Sequence, residues 1–162
     1  QVYDATLRYS GKMGGSNLNA VFSYVEQHGT ALNSWSAWRT GVSATFGNIT
    51  IGAAMKQVDN IDTGKGGTAN SDEEEVFDVG LRYKLDAKTN VGIAFLHGEQ
   101  PLASGTAGED EGDKWSIGAT YAVGPGVTLS GQVLYVDWTN ESTADADNNN
   151  GWAAIGGLQV NF

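Results

Sequence analysis

The sequence contains no cysteine, so disulfide frameworks, thiolate metal sites and cysteine nucleophiles are excluded. Proline and methionine are scarce, with 2 of each, and leucine-rich helical stretches are missing. Basic residues are few: 9 Lys plus Arg stand against 19 Asp plus Glu, which excludes a surface built to neutralise phosphates, and with it nucleic-acid binding. No apolar run approaches the roughly 18 residues that a membrane-spanning helix requires. A strand that crosses a membrane needs only about 9 to 11 residues, apolar at alternate positions, so a membrane barrel stays open. The 162 residues fit a single domain by length.

What the chain does have is 23 Gly, 5 Trp and 6 Tyr, the small and aromatic residues that favour β architecture. Apolar and polar residues alternate with period two in segment after segment, with no competing helical period. Nine such segments are expected, at residues 2–10, 18–26, 37–46, 49–58, 76–86, 90–99, 114–123, 127–137 and 152–162. The connections between them alternate too. Gly11 to Asn17, Gly47-Asn48, Ala87 to Thr89 and Gly124-Pro125-Gly126 suit tight hairpins. Residues 27–36, 59–75, 100–113 and 138–151 are long. Short turns at one end and long loops at the other match a bacterial outer-membrane barrel, whose turns are periplasmic and whose loops are extracellular.

Face assignment sharpens this expectation. In the fifth segment Phe77, Val79, Leu81, Tyr83 and Leu85 oppose Asp78, Gly80, Arg82 and Lys84; in the seventh, Trp115, Ile117, Ala119, Tyr121 and Val123 oppose Lys114, Ser116, Gly118 and Thr120. The second face is small and polar, as a wet lumen requires. On the apolar face, Tyr24, Trp38, Phe77, Phe95, Trp115, Tyr135 and Trp152 fall at extracellular ends, and Tyr9, Phe46, Tyr83, Tyr121 and Phe162 at periplasmic ends. Two aromatic girdles then bracket an aliphatic band, the arrangement amphipathic rings take at lipid headgroups. Trp152 and Phe162 would stand roughly 23 Å apart along the membrane normal, close to the expected band of about 25 Å.

Segments such as Gly80-Leu81-Arg82-Tyr83, the stretch Tyr121-Ala122-Val123-Gly124-Pro125-Gly126-Val127 and the ending Gly156-Gly157-Leu158-Gln159-Val160-Asn161-Phe162 resemble the general Gram-negative porin family, especially its alphaproteobacterial type. The resemblance covers the whole chain, residues 1–162, as one barrel domain. It implies an all-β, transmembrane antiparallel barrel in the cell outer membrane that passes small hydrophilic solutes and ions, a homotrimer without cofactor. It also implies that Phe162, Val160 and Leu158 are an assembly signal for the barrel-assembly machinery, with outer-membrane lipids and lipopolysaccharide as surroundings. Nine strands is an odd number, whereas single-chain bacterial barrels have even ones. The nine are therefore expected to be strands 8 to 16 of a 16-stranded porin, with a small eight-stranded structural barrel as the alternative.

Charge is segregated. Of the 19 acidic residues, 16 lie in or beside the long loops, leaving Asp4, Asp78 and Asp86 for the polar wall. That wall carries Arg8, Arg39, Lys56, Arg82, Lys84 and Lys114, which with Asp78 are the expected pore-lining residues, because wall charges tune which ions enter a narrow pore. Clustered acids such as Asp72-Glu73-Glu74-Glu75 and Glu109-Asp110-Glu111 with Asp113 suit a solvated, cation-attracting vestibule or a bridge to lipopolysaccharide through divalent ions. They lack the spacing of a calcium loop, and no metal site is expected. A barrel hydrolase acting on lipid or peptide is the rival from another class. It would need a nucleophile and a base; His28 and His97 are the only histidines, and neither has an evident Ser and carboxylate set on its surface. Gly11-Lys12-Met13-Gly14-Gly15-Ser16 lacks the ending of a phosphate loop and reads as a turn. No catalytic residue is assigned.

Overall fold

A computed structural model describes residues 1–28, 34–59, 73–101, 109–140 and 148–161. These form one nine-stranded antiparallel sheet in which sequence neighbours are spatial neighbours throughout. The strands are β1 (Val2–Met13), β2 (Ser16–Gln27), β3 (Trp35–Phe46), β4 (Ile49–Asp59), β5 (Glu73–Lys84), β6 (Thr89–Pro101), β7 (Glu109–Gly124), β8 (Val127–Asn140) and β9 (Asn149–Val160). All nine expected segments are strands. The sheet is open, since β1 and β9 each have a neighbour on one side only.

The tight turns follow from local chemistry. Gly14 and Gly15 at φ 57° and 85° turn β1 into β2, a left-handed pair that residues with a Cβ rarely adopt. Pro125 and Gly126, the latter at φ 73°, join β7 to β8, with proline pre-set for the first corner and glycine free for the second. The register slips between Ala122 and Gly124, so Val123 is the extra residue of a bulge and stands outside the strict alternation of β7.

The strands run further than alternation indicates, and mostly at one end. Glu73–Glu75, Glu109–Glu111, Asp113 and Trp138 belong to strands rather than to long loops. Beyond the apolar band both faces are polar, so period two vanishes from the sequence while backbone pairing continues. At the other end β5 stops at Lys84. Leu85 and Asp86 belong to the turn, and Asp86 is not a wall residue. Its Oδ1 accepts from the Lys88 and Thr89 amides at 2.7 and 2.8 Å, and its Oδ2 from the Thr89 hydroxyl at 3.0 Å. These bonds hold its carboxyl below the ordinary carboxylate range, the Lys88 amide contributing most.

Among the described residues no side chain is buried; there is no hydrophobic core. Instead large apolar side chains stand open, with Leu7 73%, Ile117 62%, Leu158 63% and Trp152 75% exposed. Register puts these four on one face. Ile51, Leu81, Ile93, Ile117, Val133 and Ala154 are successive cross-strand partners from β4 to β9. Above them Phe95, Trp115, Tyr135 and Trp152 form an unbroken aromatic row over β6 to β9, ring centroids 4.5 Å apart for Phe95 and Trp115 and 4.9 Å for Tyr135 and Trp152. Below them Phe46, Ile49 and Tyr83 pair in series, as do Tyr121, Leu129 and Leu158. An apolar face of this extent is stable only against a non-aqueous phase, and the ring rows mark that phase's two boundaries. The periplasmic-end residue Phe162 lies outside the described residues. No helix among the described residues is long and apolar enough to cross a membrane, which says nothing of crossing by strands.

Candidate functional site: the polar face of the sheet

The opposite face gathers the cations. One cross-strand row runs Arg8, Val21, Gly41, Ala54, Asp78, Leu96, Lys114, Val136, so Arg8, Asp78 and Lys114 share a register row. The row above holds Arg39 and Lys56 directly opposite one another, then Val76, Gly98, Gly112 and Trp138. Arg82 lies two rows below Asp78 beside Thr50, and Lys84 is paired with Asn90 one row further. All seven residues expected to line a pore therefore fall on one face. Lys12, read as part of a turn, joins them through its pairing with Asn17 in β1 and β2. Among the described residues, every Lys and Arg carried on a strand is on this face; Lys88 is in a turn.

Between the charges the face is small and hydroxyl-rich. Thr6 and Ser23 meet at 3.0 Å, Ser10 and Asn19 at 2.8 Å, Thr45 and Thr50 at 3.0 Å. Arg82 Nη2 donates to Thr50 Oγ1 at 3.5 Å. The face is concave, since one hollow of about 630 Å3 is lined by residues from Thr50 in β4 to Ile155 in β9. A second, about 590 Å3, takes in Arg8, Asn19, Ser43 and Asp78. Small side chains there leave room for water, and the cations give that water a positive bias.

Not every cation is free. Lys56 donates to Glu74 across β4 and β5, so Glu74, read as a loop residue, belongs to the wall and offsets part of the field set by Arg39 and Lys56. Its parity with Val76 and Asp78 would have placed it, had the strand been extended past the hydrophobic pattern.

The acidic excess sits mainly on the other face. Asp59 and Glu73 are cross-strand partners, as are Glu75 and Glu99, Glu99 and Glu111, and Asp113 and Asp137, all beyond the Phe95–Trp152 aromatic row. No metal-holding group of His, Asp and Glu occurs among the described residues. His97 is set within this acidic row. Carboxylates are present on its surface after all, with Nδ1 2.7 Å from Asp113 Oδ1 and Nε2 3.0 Å from Glu99 Oε1. Both ring nitrogens are thus engaged by acids, leaving none to take a proton from a hydroxyl nucleophile. Leu158 and Val160 stand on the apolar face of β9, opposite Leu129 and Val127.

A family model for Gram-negative porins matches residues 1–154. The chain belongs to the Gram-negative porin family. This porin is accordingly an outer-membrane β-barrel protein, and the exposed apolar face with its ring rows is the lipid side. No curated protein sequence matches it. Among solved structures the porin is similar to OmpT of Vibrio cholerae, with TM-score 0.65 and 15% identity over 99% of this chain and 56% of that one. A trimer form of the same OmpT matches at TM-score 0.64 and 16% identity, over 98% of this chain and 56% of that one. OccAB4 of Acinetobacter baumannii matches at TM-score 0.68 and 14% identity, over 98% of this chain and 45% of that one. At these identities the likeness is one of fold. The porin chain spans about half the length of these structures.

Proposed function

We propose that the chain forms about half the wall of a water-filled diffusion channel that admits small hydrophilic solutes and ions without catalysis or cofactor. The observation that carries this reading is the sorting of charge: strand-borne Lys and Arg on the concave face, most of the exposed aliphatic and aromatic residues on the other. Arg8, Arg39, Lys56, Asp78, Arg82, Lys84 and Lys114 are the pore-lining set. Further strands outside this sheet complete the wall, consistent with strands 8 to 16 of a 16-stranded barrel, since β1 and β9 each offer an unpaired edge. A homotrimer is supported by the trimer form of the similar OmpT. Leu158, Val160 and Phe162 serve as the signal read by the barrel-assembly machinery, and the acidic row around His97 lies at the height of lipopolysaccharide headgroups.

Full-length protein in planar bilayers tests the reading. Stepwise, ohmic conductance is expected; a membrane that stays silent at protein levels sufficient for insertion would sink it. Lipid and peptide hydrolysis, assayed on the detergent-solubilised protein, should be absent.

A further inference from the structure

Apolar side chains recur on the polar face, Val21, Leu134 and Ile155 among them, and four more gather near one end of it. Val76 of β5, Leu96 of β6, and Val136 and Trp138 of β8 line a hollow of about 280 Å3 near the end of the sheet that carries the acidic row. This is near the lower end of small-molecule sites, about 300 Å3. Its floor is glycine. At Gly112 a Cβ would stand 2.8 Å from Trp138 Cε3, so the absence of a side chain there makes room for the indole that borders the hollow. Lys114 borders the same space and, among the described residues, no carboxylate comes within ion-pair distance of it. Three carboxylates also line the hollow, and each has a cationic partner: Glu74 is paired with Lys56, and Glu99 and Asp113 are paired with His97. Asp110 is one step further out on the same face than Gly112, so the outer rim is acidic and the inner edge basic.

We propose that this hollow is a solute subsite for small organic anions with an apolar body, the body seated on Trp138 and the aliphatic trio, the anionic group directed inward to Lys114. This rests on the channel reading, because the hollow meets solutes only if its face borders a pore. A ring on an indole is favoured by stacking beyond simple burial, and an ammonium beside it without a carboxylate partner fixes the sign of the ligand. The rim acids oppose the reverse orientation.

The test uses p-toluenesulfonate and methanesulfonate, both fully ionised and differing in the ring, added to full-length protein in planar bilayers. The ring anion is expected to interrupt chloride current at roughly three- to tenfold lower concentration than methanesulfonate. Trp138→Ala and Lys114→Gln should each abolish that difference, while Trp138→Phe should retain most of it, with heat-modifiable migration on gels verifying that every variant is a folded barrel. A conducting channel blocked equally by both sulfonates, or better by benzyltrimethylammonium, overturns the subsite and leaves the channel standing. No conductance at all overturns the channel and the subsite with it.

Discussion

His97 Nδ1 lies 2.7 Å from Asp113 Oδ1 across β6 and β7, while the other ring nitrogen reaches Glu99. Both nitrogens can donate only in the imidazolium form, and in that form the ring is a cation beside the row in which Glu75, Glu99 and Glu111 face one another directly. Like charges in opposed strand positions are destabilising. His97→Ala should therefore lower barrel stability in urea by about 0.5–1 kcal/mol, modest because the partners are part exposed. Added magnesium should recover part of the loss. A variant as stable as the parent without magnesium would mean the carboxylates are fully screened by solvent.

The two faces should answer oppositely to the same substitution. Ile117 stands in the middle of the aliphatic row, whereas its neighbour Ser116 faces the hollow of the polar side. A lysine near the bilayer midplane on the lipid side costs about 2–4 kcal/mol. Ile117→Lys is expected to lose that much in lipid-vesicle unfolding titrations, and Ser116→Lys far less. Equal losses would mean the lipid side has been misassigned.

Much of this was legible in the sequence, and the parts that were not share a cause. Residues such as Leu81 and Arg82 are readable because a lipid phase on one side and water on the other force strict alternation. Above the Phe95–Trp115–Tyr135–Trp152 row water lies on both sides, so Glu74, Asp110 and Trp138 carry no periodic signal and read as loop. The ladder continued through them, and so the Lys56–Glu74 pair and the Trp138 hollow were both missed. Asp86 erred the other way: its parity fits the wall, but three short-range bonds commit it to a turn.

Asp86 gives the turn between β5 and β6 an acid limit. Its pKa is lowered in the folded state by the Lys88 and Thr89 bonds. The stabilisation is therefore complete above the ordinary carboxylate range and disappears as pH falls through the lowered folded value. Asp86→Asn should flatten this part of the acid-unfolding profile, lowering stability at neutral pH while leaving that at the lowest pH nearly unchanged. A parallel loss at every pH would assign the effect to packing instead.

Tryptophan quenching can separate the faces without any change in stability. Trp115 and Trp152 stand in the aromatic row on the lipid side, and Trp138 on the opposite side over Gly112. In versions retaining one of these three, with the remaining tryptophans replaced by Phe, lipids spin-labelled at headgroup depth should quench Trp115 and Trp152. Iodide should reach Trp138 preferentially. Headgroup quenching of Trp138 would remove it from the water-filled side.

Arg39 and Arg82 test whether the wall charges act on permeating ions. Arg39 has its neighbour Lys56 partly neutralised by Glu74, and Arg82 rests against Thr50 with no carboxylate in ion-pair range among the described residues. In water a unit charge acts on an ion 4 Å away with about 1 kcal/mol, so each loss should change the anion-to-cation permeability ratio by roughly two- to fivefold. Arg39→Ala and Arg82→Ala should move the reversal potential in a salt gradient toward cation preference. The shift should shrink between 0.1 and 1 M salt as the Debye length falls from about 10 to 3 Å. Glu74→Gln supplies the opposite sign, because it frees Lys56 and should increase anion preference. Reversal potentials unchanged in all three would mean that these side chains border water too wide for them to control.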